Sequence, residues 1–404
     1  GVVVSAKREG STITVSVVTD AQGRFAFPAD RLEPGKYTLR ARATGYDLDG
    51  RPTAEIAAGK EASADLTLKP TRNLAAQLNN AEWLLSMPGS DAQKNFLLNC
   101  NSCHTLERIF KSSYDSDEWT QILTRMANYA SESFWLKPQV RPVHRAQNPE
   151  NYRRLADFLA ANNLSAQETW GYPLKTLPRV KGRGTRAIVT EYDLPRRTIQ
   201  PHDVVLDKDG VAWYSDFGDQ VIGRFDPKTL KHEDIKIPSN VPGRPTGSLD
   251  LEVVRDGTFL VGMMNQGAVG RYDPKMAQWK IWDMPPEFNK DNVQINMVTT
   301  NFAVDGKVWM NTNDGTGNIY RLDINSGQYE LHQPLKLLPG GPAGNRGGQR
   351  RVGLRDDVQV LLVRGQVVDL VRDLALDHLA VRRLDEAEGV DAAVGRQRAD
   401  QADV

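Results

Sequence analysis

The stretch Pro201-His202-Asp203-Val204-Val205-Leu206-Asp207-Lys208-Asp209-Gly210-Val211-Ala212-Trp213-Tyr214-Ser215-Asp216 reads as two short strands about an Asp-Lys-Asp-Gly turn. It runs on into Ile222-Gly223-Arg224-Phe225-Asp226-Pro227. That ending recurs as Val269-Gly270-Arg271-Tyr272-Asp273-Pro274 and again as Ile319-Tyr320-Arg321-Leu322-Asp323. Repetition at this spacing is the signature of a β-propeller, each unit being one four-stranded blade. The polar-alternating Trp279-Lys280-Ile281-Trp282 suits a blade's outer edge. About three units fit within residues 185–337, whereas a closed ring needs four or more. The expectation is therefore a partial propeller with unpaired strand edges.

The His-Asp-Val-Val, Asp-Gly-Val-Ala-Trp-Tyr-Ser-Asp and Ile-Gly-Arg-Phe-Asp-Pro segments resemble the virginiamycin B lyase-like propellers. That resemblance implies lactone opening by elimination, with a histidine base and a metal-associated glutamate. No matching pair is found: at Trp213-Tyr214-Ser215-Asp216-Phe217-Gly218 a shorter acid stands at the glutamate-like place and no histidine follows. His202, Asp203, Asp216, Asn265, Asn313 and Asp314 are candidates for lining an axial funnel. Turn and blade-capping roles are equally open to them.

A second run fixes the middle of the chain. Cys100-Asn101-Ser102-Cys103-His104 is a C-x-x-C-H pattern, the attachment signature for c-type haem. Two thiols one helical turn apart can reach the two vinyl groups of one porphyrin, and the adjacent histidine then presents its imidazole to the iron. The chain has only these 2 cysteines, so no four-thiolate zinc or iron–sulfur site can form. A redox dithiol and a local disulfide are the other readings. The hydrophobic period around this run is helical. Helices are expected over Ala75–Leu85, over Ala92–Leu98 after Asp91, after an Asp115/Glu118 capping box, and from Asn148-Pro149 onward. Pro138 and Pro142 mark an extended connection.

A C-x-x-C-H after a helix, closed by Leu155-Ala156-Asp157-Phe158-Leu159-Ala160, resembles a small class I cytochrome c across residues 75–165. The resemblance implies an all-α domain with one covalent haem c on Cys100 and Cys103, His104 as axial ligand, and electron transfer. Met126, on the apolar stripe with Trp119, Ile122 and Leu123, is the candidate sixth ligand; a thioether there raises the reduction potential. Met87 and His144 are the alternatives. Haem attachment of this kind takes place on exported bacterial polypeptides, so a periplasmic or other extracytoplasmic location is expected.

Residues 1–70 alternate apolar and polar side chains in short runs, Thr12–Val18, Arg24–Phe27, Tyr37–Ala43 and Ala62–Leu68. Turns at Asp20-Ala21-Gln22-Gly23 and Glu33-Pro34-Gly35-Lys36 separate them. Thr19–Phe25, Leu32–Tyr37 and Ala43-Thr44-Gly45-Tyr46 resemble the carboxypeptidase regulatory-like domain, a prealbumin-like or starch-binding-like β-sandwich, whose first strand is expected to be incomplete in this sequence. The resemblance implies an accessory role, carbohydrate binding or docking, although no row of aromatics forms a sugar platform. A spacer is the plainer role.

Across its 404 residues the chain balances 51 Lys+Arg against 51 Asp+Glu, which argues against a nucleic-acid partner. No apolar run is long enough to span a bilayer. The opening Gly1-Val2-Val3-Val4, already strand-like, suggests a fragment or processed form. From Gly340 the texture changes: residues 338–404 are built mainly of Arg, Asp, Val, Leu, Ala, Gly and Gln. Such bias suits an out-of-frame reading; the alternative is an Arg/Asp-rich helical tail over Val358–Leu384. The expected whole is a multidomain, exported electron-transfer protein: β-sandwich, all-α cytochrome c and partial β-propeller. Its electron donor and acceptor are not specified by the sequence. An oxidoreductase or lyase-like enzyme with its small-molecule substrate site in the propeller, or a carbohydrate- or protein-binding module, are the competing functions.

Overall fold

The structure, a computed structural model, describes residues 1–101, 103–130, 136–140, 148–244, 247–288, 295–297, 305–312, 318–332, 352–354 and 358–360. The chain divides into two compact units, Gly1–Asp314 with Ile319–His332, and Gly315–Asn318 with Gln333–Val404. The first is mostly β, with several sheets and few helices.

Its N-terminal part contains β1 (Val3–Arg8), β2 (Ile13–Val18), β3 (Gly35–Arg42), β4 (Tyr46–Leu48), β5 (Thr53–Ile56) and β6 (Leu68–Pro70). Strand alternation turns Val4, Ala6, Val15, Val17, Tyr37 and Leu39 inward, all buried. The Asp20 carboxylate accepts from the Gln22 and Arg24 amides at 2.9 Å and so fixes the turn in which Gly23 takes φ +80°. Two expected strands differ. Arg24–Phe27 joins no ladder, and of Ala62–Leu68 only Leu68 enters one. Phe27, Leu32, Ala64 and Leu66 nevertheless pack on the core, so the apolar spacing there serves side-chain packing without backbone pairing.

The main sheet has the order β5-β3-β1-β2-β7, and β7 is Ile188–Tyr192. It runs antiparallel to β2, from Ile13 opposite Tyr192 to Val17 opposite Ile188. The edge strand beside β2 therefore comes from beyond the helical segment. Asp193, next in the chain, donates its N–H to the Thr12 carbonyl at 2.8 Å and pairs with Lys7.

Between β6 and β7 lie α1 (Asn80–Ser86), α2 (Asp91–Lys94), α3 (Leu97–Cys100), α4 (Leu106–Phe110), α5 (Ser116–Met126) and α6 (Pro149–Asn162). The single helix expected over Ala75–Leu85 is a 3-10 turn, Leu74–Gln77, followed by α1. The break is local chemistry: Asn79 caps α1 through a box with Glu82, and an N-cap cannot sit inside a helix. The box at Asp115/Glu118 opens α5, and Asn148 caps α6 with Pro149 in its first turn. Trp83, Leu97, Leu106, Phe110, Trp119 and Leu159 form the helical core. The chain after α6 wraps it: the Leu177 amide donates to the buried Glu82 carboxylate at 3.0 Å, and the Trp170 indole to the Phe110 carbonyl at 3.3 Å.

Among the described residues three four-stranded antiparallel meanders follow. The first comprises β8 (Pro201–Leu206), β9 (Ala212–Asp216), β10 (Val221–Asp226) and β11 (Lys231–Lys236). The second comprises β12 (Ser248–Val253), β13 (Phe259–Met263), β14 (Ala268–Asp273) and β15 (Gln278–Asp283). The third comprises β16 (Ile295–Met297), β17 (Val308–Thr312), β18 (Ile319–Leu322) and β19 (Tyr329–His332). Trp279–Trp282 does lie in an outermost strand, β15. The recurring motif is a blade lock. Asp226, Asp273 and Asp323 each accept the amide two residues on, at 2.8–2.9 Å. The motif arginines Arg271 and Arg321 pair with the turn acids Asp256 and Asp305, while Arg224 lies over the Trp213 ring.

In the second unit, β20 (Val352–Leu354) pairs with β21 (Val358–Val360). The helical tail expected from Val358 thus begins on a strand; the rest of that stretch lies outside the described residues.

Candidate functional site

Ser90 caps α2 and Phe96 continues the chain in helical conformation into α3, so Cys100 arrives at the end of a helix whose Leu97 is buried. Cys100 packs against the helical core, and its Sγ lies 3.8 Å from the Phe96 carbonyl. Cys100 and Cys103 are not joined in a disulfide. Burial, reinforced by the neighbouring Cys103, pushes the Cys100 thiol up to about 12. The Nδ1 atom of His104 lies 3.2 Å from the Thr105 carbonyl. A carbonyl only accepts, so Nδ1 is the donor in this contact, and in the neutral ring that leaves the lone pair on Nε2.

These groups fit the donor set of a covalently held haem: two thiols, then an imidazole in the tautomer that ligation requires. Within the same core the indole N–H groups of Trp83 and Trp119 are buried with no acceptor among the described residues. Met126 closes α5 and is 39% exposed, whereas Trp119, Ile122 and Leu123 of the same helix pack on the core. Met87 is buried in that core. His144, like Ser102, lies outside the described residues. Among the described residues no group of three or more His, Cys, Asp or Glu gathers as a metal site.

A second cluster lies at the inner strands of the blades. His202 Nδ1 is 2.9 Å from Asp203 Oδ1, and the other Asp203 oxygen accepts the Leu251 amide of the next blade at 3.1 Å. Asp250 accepts the Met297 amide of the blade after that. The two acids are equivalent: Asp250 follows Asp203 by the 47 positions that separate Gly270 from Gly223 (250 − 203 and 270 − 223). Asn296 holds the place in the third blade, with its amide on Asn311 at 3.2 Å. Packing room differs between blades. Ser215 bonds Asp203 in the first, whereas in the second a Cβ on Gly262 would meet Asp250 Oδ2 at 2.8 Å. Burial, then the like charge of Asp203, raises the Asp250 carboxyl to about 8.

Of the funnel candidates, His202 and Asp203 come together. Asp216 does not join them: it is fully buried and bound to Arg196 Nη2 at 2.7 Å. Arg196 also holds Asp219 at 2.7 Å and Asp234 at 2.6 Å, and its bonds to Asp234 and Asp216 raise the pKa of its guanidinium. Asn265 is buried beside Gly247, and Asn313 and Asp314 lie outside the described residues. Sequence reasoning missed Asp250 and Arg196. The first was findable from the blade repeat; the second sits in a connection with no pattern of its own.

Residues 1–69 match the carboxypeptidase regulatory-like domain. No curated protein matches the chain. Among solved structures, the chain is similar to a catalytically inactive virginiamycin B lyase from Staphylococcus aureus with quinupristin. Identity there is 17%, over 37% of this chain and 45% of that one, with a TM-score of 0.31. It is similar to a streptogramin B lyase at 21% identity, again over 37% and 45%, with a TM-score of 0.29. A hydrazine synthase from Kuenenia stuttgartiensis follows at 14% identity, over 35% of this chain and 38% of that one, with a TM-score of 0.25. The chain thus spans less than half the length of these relatives.

Proposed function

We propose that the chain is an exported electron-transfer protein in which residues 75–165 form a cytochrome c-like domain, with haem c held by Cys100, Cys103 and His104. The observation that carries this reading is the state of the C-x-x-C-H groups. A dithiol that attacks disulfides needs a thiolate of lowered pKa, and Cys100 is displaced the other way by burial. His104 meanwhile donates from Nδ1 to the Thr105 carbonyl, the arrangement metal-ligating histidines use. A bound haem supplies a one-electron couple whose potential depends on the axial ligands and on burial. Cys100, Cys103 and His104 would hold the group, and the core of Trp83, Leu97 and Phe110, on which Cys100 packs, would exclude water from the Cys100 attachment.

Met126 is the proposed sixth ligand, and an extracytoplasmic location goes with this reading. No described helix is long and apolar enough to cross a membrane. In cells equipped to attach haem, the intact chain should gain the mass of one covalent haem and Cys100→Ala with Cys103→Ala none. Equal masses would refute the assignment. Loss of a near-infrared thioether band in Met126→Ala would support the sixth ligand; an unchanged spectrum would exclude Met126.

A second reading, a substrate site in the propeller, is favoured by one observation. His202, oriented by Asp203, stands near Asp250, which stays largely protonated up to neutral pH. This base-and-acid pairing suits proton-transfer chemistry of an oxidoreductase or lyase. Accessory glycan or protein binding is the reading for the sandwich.

A further inference from the structure

The segment Leu136–Val140 joins the end of α5 to the first blade. On one side, Tyr129 and Val140 form an antiparallel bridge, and the Ala130 amide donates to the Gln139 carbonyl at 2.7 Å. Ala130 is 1% exposed, so this contact is shielded from water. On the other side, Gln139 Nε2 lies 3.2 Å from the Phe217 carbonyl and 3.5 Å from that of Gly218. Lys137 pairs with Asp219, whose second oxygen accepts from Arg196. The Phe217 ring is fully buried against Leu249 and Met264, and its centroid stands 6.5 Å from that of His202.

These contacts make one continuous path from the segment following Met126 to the His202–Asp203 cluster. The carbonyls of Phe217 and Gly218 lie beyond β9, and Gln139 Nε2 stands within reach of both. A single glutamine amide reaching both, next to a lysine on a carboxylate already fixed by Arg196, is a built contact.

We propose that Gln139, with Lys137, is a positioning residue that couples the axial His202 cluster to the Met126–Ala130 segment. A ligand bound at His202 that shifts Phe217 changes the order of that segment, and a change there returns to the axis by the same coupling. The functional consequence, a haem environment that responds to occupancy of the propeller, rests on the cytochrome reading; the coupling itself does not.

Amide hydrogen exchange on the full chain without haem tests it. Gln139→Ala should speed exchange about fivefold in peptides covering 126–130 and, together with them, in those covering 217–219, as loss of one net hydrogen bond predicts. His202→Ala should speed the 126–130 peptides in the native background and have no further effect in Gln139→Ala. Lys137→Ala should give the same pattern at smaller size, and serves if Gln139→Ala does not fold. Independent responses of the two regions, or a His202→Ala effect that persists without Gln139, would overturn the coupling. On haem-loaded chain the midpoint potential should move in Gln139→Ala. A chain that never takes up haem contradicts the cytochrome reading and leaves the exchange experiment to judge the coupling.

Discussion

Asp250 shows what a single carboxyl can do to the whole molecule. It accepts the Met297 amide, linking neighbouring blades, yet burial and Asp203 raise its carboxyl to about 8. The folded chain therefore binds a proton that the unfolded chain has already released above about pH 4. Stability from this group is present at low pH and is lost as pH rises from about 4 towards 8. Asn296 occupies the same place in the next blade, so an amide is compatible with the geometry. Asp250→Asn should flatten the pH dependence and raise stability at pH 8 by on the order of 2 kcal/mol, discounted for the solvent that reaches the inner strands. Thermal melts at pH 5 and pH 8 decide it: equal pH dependence in both proteins would show that Asp250 ionises freely. The sequence displays Cys100–His104 openly because that chemistry is contiguous. Asp250 is obscured because Leu249-Asp250-Leu251 looks like an ordinary strand until the blades are aligned.

At the scale of elements, the blades repeat but are not identical. The ring of Tyr214 lies directly over Gly223, so a Cβ there would overlap it, and the Tyr214 hydroxyl reaches His232 at 2.5 Å. Burial raises the Tyr214 pKa, so this hydroxyl stays protonated. Gly223→Ala should displace the ring and destabilise the first blade by about 1–3 kcal/mol. The equivalent Gly270→Ala, whose nearest contact is the edge of Trp279 at 3.1 Å, should cost less. Chemical denaturation of the two variants compares them, and equal losses would contradict the ring-stacking account.

Strand β7 is the element whose partner was hidden. Among the described residues its five residues pair only with β2, and nothing local in Ile188-Val189-Thr190-Glu191-Tyr192 names the sandwich as their destination. Adjacent strand residues point their amides to opposite edges. Of Thr190→Pro and Glu191→Pro, one should therefore remove a ladder bond and cost about 3 kcal/mol, while the other is nearly neutral. Two neutral variants would show that β7 does not belong to that sheet.

At the scale of the first unit, the helical segment is an insertion between β6 and β7, both of which belong to sandwich sheets. The chain after β7 continues directly into the propeller, where the Tyr192 ring meets Phe225 at 5.2 Å and Arg196 gathers Asp216, Asp219 and Asp234 on the first blade. Each part was legible from its own period: two for the strands, helical for the middle, and for the blades a motif arginine recurring after 47 and then 50 positions (Arg224, Arg271, Arg321). The joins were not, because Lys7 with Asp193, or Lys137 with Asp219, are pairs that no local pattern relates. The path from Met126 through Gln139 to His202 depends entirely on such joins.

All of these scales meet at Cys100, Cys103 and His104, where the account is most exposed. The direct measurement is an optical spectrum of the purified chain, reduced with dithionite, after expression with haem attachment machinery. The account predicts a c-type α-band that survives denaturation, since the group is covalently held, and its absence from Cys100→Ala with Cys103→Ala. A chain that stays colourless, or loses its colour on denaturation, would contradict the assignment of haem to this site.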